Sequence, residues 1–434
     1  MFLAAASLAI AAGPRVWRCF EEVYDLSLYR GSVVAATSGG ALIESDGKWK
    51  PLGIDCPAPL RKLLYEGGEL CATDRTGLVY RLRASDETWA ETPESSNPPI
   101  LQPSALPSPA VSYHGMPLHS VWGSRFLVDD AGANRIPRDP AGGDYALLAE
   151  GDRLLAGTPD GIYEYDGAAW KPDPLPAGLP LLRPTGIAFG GPSTVVGGLT
   201  GLFVRTGTVW SQPSRDAVRQ ILKVDGDAWV LYGNGSVDKL DLAHNQLVYD
   251  AVNEGAKRPW TSCLAAFDGV LLFGGQGGWI ERTKKGITEH YFPEIDNDVV
   301  MAATGKGAVR WIGTQKAGLF RYGQGPVCRW NPGNGLPDTW VTALLHTPKG
   351  LYVATSGSGL FLVKGDSISP VGSPTQRPRQ LTLYKGEVVV GGMDGAWILD
   401  PSGWRLLPTN HEETTALVAG TRLVVCTAAG VYLF

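Results

Sequence analysis

Trp311-Ile312-Gly313-Thr314, then Gly318-Leu319-Phe320-Arg321-Tyr322, then Trp330 and Gly335-Leu336-Pro337 form the clearest copy of a phrase that runs through the chain. The phrase is an apolar strand, Gly or Ala, Thr or Gly, two or three turn residues, a glycine, and another apolar strand. Other copies carry Ala36-Thr37 with Gly40, Ala72-Thr73 with Gly77, Gly157-Thr158 with Gly161, Ala354-Thr355 with Gly359, Gly391-Gly392 with Gly395, and Cys426-Thr427 with Gly430. Weaker copies surround Gly198, Gly233 and Gly275. With the Thr or its equivalent as marker, Thr37 to Thr73 is 36 residues, Thr314 to Thr355 is 41, Thr355 to Gly392 is 37, and Gly392 to Thr427 is 35. That period is the size of a propeller blade.

Each period holds four short apolar runs separated by turns such as Asp225-Gly226, Asp268-Gly269 and Lys349-Gly350, which predicts a four-stranded meander. Composition agrees. Gly 56, Pro 32 and Trp 14 in 434 residues describe tight turns and bulky packing residues rather than long helices. The expected fold is an all-β propeller of about eleven four-stranded antiparallel blades. Single rings usually hold four to eight blades, so two fused rings are expected, with one large ring as the alternative.

The ends bear on how the blades close. Val431-Tyr432-Leu433-Phe434 reads as a third strand with no fourth, and Val16-Trp17-Arg18-Cys19-Phe20 resembles a fourth strand that precedes the first complete blade. Residues 15–20 are expected to close the last blade, which would remove an open sheet edge. One ring would then be assembled from both ends of the chain, with the other inserted. Residues 14–434 form the blade array, interrupted by a Pro/Ser-rich loop at 91–113. The copy after it, around Trp122-Gly123, is the least regular. Residues 1–13 are apolar, with Ala9-Ile10-Ala11 resembling a signal-peptidase site, although no Lys or Arg precedes them. A periplasmic or extracellular location is expected, with a cytoplasmic one as the alternative. The stretch is too short to span a membrane, so no stable membrane insertion is expected.

Lys+Arg 38 against Asp+Glu 43 gives a formal net charge of -5, with the charges interspersed. Nucleic acid is therefore not expected as a partner. Cys19, Cys56, Cys71, Cys263, Cys328 and Cys426 show no metal-binding spacing, and Cys71 and Cys426 take the small-residue place before the repeat threonine. His114, His119, His244, His290, His346 and His411 form no HExxH pattern. Gly357-Ser358-Gly359 and Gly274-Gly275-Gln276-Gly277-Gly278 fall between strands, so they read as turns rather than as a nucleophile elbow or a phosphate loop. No cofactor, metal or catalytic residue is expected.

Recognition is sought in the residues that precede the first strand of successive blades: Arg183, Arg215, Arg258 with Trp260, Asp296 with Asp298, Asp338 with Trp340, Arg377, and Glu412. In a propeller these connections gather at one mouth of the central channel. Mixed charge and aromatic faces there suit a polyhydroxylated or charged small ligand, with Trp260 and Trp340 as stacking platforms. The alternative is a solvated ring of loop-end charges with the tryptophans packed between blades. In a two-ring chain these residues are expected to divide between two mouths.

Trp311 to Leu319 together with Gly335-Leu336-Pro337-Asp338-Thr339-Trp340-Val341-Thr342 resembles the two-component regulator propeller repeat. That repeat occurs in sensory ectodomains of bacterial hybrid histidine kinases, where the propellers are extracytoplasmic and bind ligands that are often carbohydrate-derived. There they are followed by an immunoglobulin-like domain, a membrane span and a kinase. The resemblance implies a sensor-like binding role for a glycan, a metabolite or a partner protein; with the chain ending at the propeller, it is not expected to signal alone. Ser45-Asp46-Gly47-Lys48-Trp49 faintly resembles the Asp-box hairpin of sialidase-like propellers, with Tyr165-Asp166-Gly167 before Trp170 as a poorer copy. The alternatives to a binding propeller are a glycosidase or lyase using carboxylates such as Asp338 and Glu412, and a structural interaction module.

Overall fold

The computed structural model describes residues 15–434 except 21, 54–55, 75–76, 93–109, 115, 121–125, 130–134, 138–145, 159–160, 175–177, 181–182, 191–192, 245, 250–259, 324, 376 and 410. The candidate signal segment 1–13, most of the stretch 91–113, Trp122-Gly123 and Arg258 therefore lie outside the described residues.

The protein is an all-β propeller of four-stranded antiparallel blades. Among the described residues there are eleven four-stranded sheets, ten of them meanders of four consecutive strands. We number the blades in chain order: 23–51, 60–91, 110–137, 146–173, 186–214, 218–249, 261–291, 300–330, 341–370, 380–406, and 414–433 for blade 11. Blade 11 has three consecutive strands, and its fourth place, beside Gly430–Leu433, is taken by Arg15–Arg18. The chain divides into two compact units, Trp17–Pro180 and Met1–Val16 with Leu181–Phe434. The first holds blades 1 to 4, the second blades 5 to 11.

The repeat phrase has a physical reading in both units. The threonine ends the second strand, and its buried hydroxyl donates to the carbonyl of the glycine that starts the third: Thr37 to Gly40 (2.7 Å), Thr158 to Gly161 (3.0 Å), Thr314 to Gly318 (3.0 Å) and Thr355 to Gly359 (3.1 Å). A β-branched residue suits the strand and its hydroxyl satisfies a buried acceptor at the turn. Gly318 must be glycine, because its φ is +94° and an added Cβ would lie 2.2 Å from the Trp330 carbonyl oxygen. The Gly or Ala before the threonine faces the next blade. A Cβ on Gly313 would lie 2.4 Å from Val341 Cγ1, one on Gly391 2.4 Å from Thr414 Cγ2, and one on Gly157 2.7 Å from Val23 Cγ1. The phrase is thus a blade-to-blade contact written in sequence.

The tryptophans of the fourth strands fill the same seams. Trp89 packs into a core shared by blades 1 and 2, Trp49 into one shared by blades 1 and 4, and Trp330 into one shared by blades 8 and 9. Cys71 and Cys426 are buried, and burial pushes the Cys426 thiol up to about 12.

In the four-bladed unit, blade 1 lies between blades 2 and 4. Trp49 Nε1 donates to Asp173 at 2.7 Å, and Arg153 forks between Glu44 (2.9 and 3.2 Å) and Glu164 (3.1 Å). Asp25 joins the first strands of blades 1 and 2, accepting from Leu26 N at 3.0 Å and Leu63 N at 2.8 Å. Burial raises its pKa from 3.8 to about 6, against the lowering effects of those two amides and of Lys62. The folded pKa exceeds the unfolded one, so Asp25 contributes stability below pH 4 that is lost as pH rises through about 6. Asp25→Asn is expected to remove this slope. The wild-type protein should lose roughly 2 kcal/mol relative to the variant between pH 4 and 7, read from unfolding midpoints of both proteins across that window. Parallel curves would show that Asp25 does not titrate there.

In the seven-bladed unit the first strands of blades 5 to 11 each contact the first strand of the next blade, and that of blade 11 contacts that of blade 5. The seven form a closed circuit. Its seams are pinned near the strand starts. Thr185 donates to Val218 O (2.5 Å), Ser262 to Val300 O (2.5 Å), Thr342 to Pro378 O (2.5 Å) and Thr415 to Pro184 O. Start therefore lies beside start around the whole ring, and the connections into the first strands share one mouth.

Candidate functional site

The second residue of the first strand is skipped by the pairing register in blades 1, 2, 6, 7, 8, 9 and 11, leaving Tyr24, Arg61, Arg219, Ser262, Met301, Thr342 and Thr415 outside the ladder. A bulge of this kind re-aims one side chain. Where it is Ser or Thr the hydroxyl crosses to the next blade, as described above. In blade 6 it is Arg219, exposed, with its guanidinium 5.9 Å from the centre of the Trp260 ring.

All nine described residues of the sequence-predicted set fall in the seven-bladed unit. The expected division between two mouths does not occur, because blades 1 to 4 form their own unit from a stretch that precedes every one of these residues. Their roles separate once their partners are known. Trp260 and Trp340 are each 40% exposed. Trp260 rests on the turn of blade 6, where a Cβ on Gly235 would lie 2.2 Å from its Cδ1. Arg215 and Arg377 are exposed, and Arg377 adopts a positive φ of 49° with Nη1 4.0 Å from Met393 Sδ. Arg183 Nη2 donates to Glu413 at 2.8 Å.

Three of the acidic members, Asp338, Asp298 and Glu412, are bonded within the scaffold. Asp338 accepts from Trp340 N at 3.0 Å and Gly357 N at 2.6 Å, tying the strand entry of blade 9 to its own Gly357-Ser358-Gly359 turn. Asp298 does the same in blade 8, accepting from Val299 N, Lys316 N and Ala317 N at 2.7 to 3.1 Å. Glu412 is 7% exposed and accepts from the hydroxyls of Thr427 and Tyr432. Asp296 ends the short helical turn Pro293–Ile295 through its backbone N–H, which donates to the Pro293 carbonyl. Asp338 and Glu412, the carboxylates of the enzyme alternative, are thus each hydrogen-bonded within their own blade.

Glu413, next to the predicted Glu412, is the carboxylate that organises the mouth. It is buried and holds Arg183 of the entry to blade 5 at 2.8 Å and Arg379 of the entry to blade 10 at 3.2 Å. Glu412 and Glu413 both precede the strand Thr414–Ala419 and serve different partners, Glu412 within blade 11 and Glu413 in the neighbouring blades. The sequence-predicted set named Glu412 and not Glu413. Arg219 and Arg379 were also outside the predicted set; the bulge that displays Arg219 has no sequence signature beyond its place in the repeat.

Fold and mouth together define a β-propeller of two units, four and seven blades, with one aromatic and arginine-bearing channel entrance described in the larger. No family profile matches the chain, and no curated protein matches it. Among solved structures it is similar to the extracellular domain of BT3049, assigned to a hybrid two-component system of B. thetaiotaomicron, with TM-score 0.50 and 14% identity over 93% of this chain and 60% of that one. The extracellular domain of BT4673 from the same organism gives TM-score 0.47 and 14% identity over 95% of this chain and 74% of that one. This chain spans 60% of the length of the BT3049 domain, and at such identity the likeness is one of fold. Among the described residues no helix is long and apolar enough to cross a membrane.

Proposed function

We propose that the protein is a non-catalytic binding propeller of the sensor type, located outside the cytoplasm, which takes a small ligand at the mouth of its seven-bladed unit. The observation that carries this reading is the pair of half-exposed tryptophans, Trp260 and Trp340, held at the strand entries of blades 7 and 9. Trp49, Trp89 and Trp330 are spent in the seams, and an indole left in water at a channel entrance is a stacking surface for a sugar or a flat metabolite. Support also comes from the fold shared with a sensor ectodomain and from the acidic groups, which are bonded within the scaffold rather than poised as an acid and base pair.

A thermal-shift screen of the purified protein against pooled oligosaccharides, sugar acids and metabolites, with each pool assayed for turnover, tests this. A ligand present at about a hundred times its Kd should stabilise the fold by roughly 2.7 kcal/mol without product. Trp260→Ala or Trp340→Ala should each weaken binding about tenfold or more, the loss of one buried stacking contact, while leaving the unliganded midpoint nearly unchanged. Turnover of any pool, or binding indifferent to both substitutions, would count against the proposal.

A further inference from the structure

Around the ring the blades that meet are 10, 11, 5, 6 and 7 in that order, because blade 11 abuts blade 5. Arg377 and Arg379 enter blade 10, Arg183 enters blade 5, Arg215 and Arg219 stand at the start of blade 6, and Trp260 enters blade 7. Five arginines and one exposed indole therefore occupy a continuous arc. Blades 8 and 9 complete the circle with Asp298 and Asp338, whose oxygens are filled by backbone amides.

Along the arc, arginine donors face solvent while the Glu413 carboxylate is occupied. Arg183 and Arg379 share the one buried carboxylate of Glu413, leaving most of their ten N–H groups available, and their side chains stay 39% and 46% exposed. Among the described residues no carboxylate pairs with Arg215, Arg219 or Arg377, and all three are exposed. Asp216, beside Arg215, is an exposed acid among the described residues of the arc. Glu413 also ties guanidiniums of two non-adjacent blades to the blade between them, so it acts as a positioning residue that fixes the spacing of the cations.

We infer that the mouth selects an anionic saccharide, its carboxylate or sulfate groups seated on this arginine arc and one sugar face on Trp260; the inference rests on the reading of the mouth as a ligand site. Guanidinium forks match planar carboxylates and sulfates bidentately. An acidic pyranose carries an apolar C–H face and an adjacent anion on one unit, which is what the indole beside the Arg219 guanidinium meets. An acidic peptide carries its anions on flexible stems without that face.

Isothermal titration of the full chain with an oligogalacturonate, a heparin-derived tetrasaccharide, a neutral glucose tetrasaccharide and a polyglutamate peptide tests it. At least one acidic saccharide should bind about tenfold or more tightly than the neutral one, with an advantage that falls as salt is raised. The first two probes distinguish carboxylate from sulfate. Arg219→Gln, at an exposed position, should weaken the acidic probe about tenfold, the loss of a charge-assisted pair, without moving the unfolding midpoint. Equal binding of the neutral probe, or indifference to Arg219→Gln, overturns the anion selectivity, and if Trp260→Ala or Trp340→Ala still weakens the neutral probe the ligand site itself stands. Arginine-dependent binding of polyglutamate alone overturns the saccharide, and silence from both acidic saccharides overturns the inference.

Discussion

Gly313→Val is expected to lower the stability of the seven-bladed unit by about 2–4 kcal/mol, the range of a forced overpacking at a closed seam. The new Cβ would lie 2.4 Å from Cγ1 and 2.8 Å from Cβ of Val341, a fully buried residue on the first strand of the next blade. Neither strand can retreat. Gly313 is fixed by register to Ala302 and Leu319, and Val341 to Thr355, so relief requires two whole blades to part. Gly313→Ala should cost less, since Ala36, Ala72 and Ala354 hold the same place in other blades. Combining Gly313→Ala with Val341→Ala should recover at least about 1 kcal/mol relative to the sum of the single losses, because the two sites touch. Denaturant midpoints of the four proteins measure this coupling. Strict additivity would show that the seam relaxes by some other route.

That contact explains why the fold was legible so early. Gly313-Thr314 and its copies mark a close approach and a turn that every blade must make, so the same two residue types return at blade spacing. Gly or Ala is imposed by the neighbouring blade and Thr by the glycine carbonyl of its own. The channel mouth obeys no such repeat. Asp338 and Glu412 look alike in sequence as acids at strand entries, yet one clamps amides of its own turn and the other is sunk among hydroxyls. Their difference depends on which partner atoms the third dimension brings near. Trp260 and Trp340 were legible as candidates because a tryptophan at an entry falls outside the fourth-strand seam positions that Trp49, Trp89 and Trp330 fill. Of the Arg183–Glu413–Arg379 cluster only Arg183 was, since its members are separated by up to 230 residues and meet only because blade 11 stands between blades 10 and 5.

Removal of residues 1–17 should have the second large effect, while removal of 1–13 should have almost none. Blade 11 supplies three strands from 414–433 and takes its fourth, Arg15–Arg18, from the other end of the chain. Truncation at 17 spares Arg18, whose guanidinium donates to the Gly39 carbonyl at 2.8 Å and whose own carbonyl accepts from Leu179 N at 2.7 Å in the four-bladed unit. What is lost is the strand laid along Gly430–Leu433. Each ladder hydrogen bond is worth on the order of 1 kcal/mol net, so a penalty of about 2–4 kcal/mol is expected in the unfolding of the seven-bladed unit. The exposed edge adds a second symptom. Gly430–Leu433 would present unpaired amides and carbonyls beside buried Val431 and Tyr432, a template for another chain. Size-exclusion chromatography should show the shorter variant associating with increasing concentration while the 1–13 truncation stays as the full chain does. A peptide of residues 14–20 added in trans should reverse both symptoms. If the 1–17 truncation keeps the midpoint and elution of the full chain, the N-terminal strand does not hold the blade, and the ring is secured by its first-strand seams, above all the Thr415 and Glu413 bonds to blade 5.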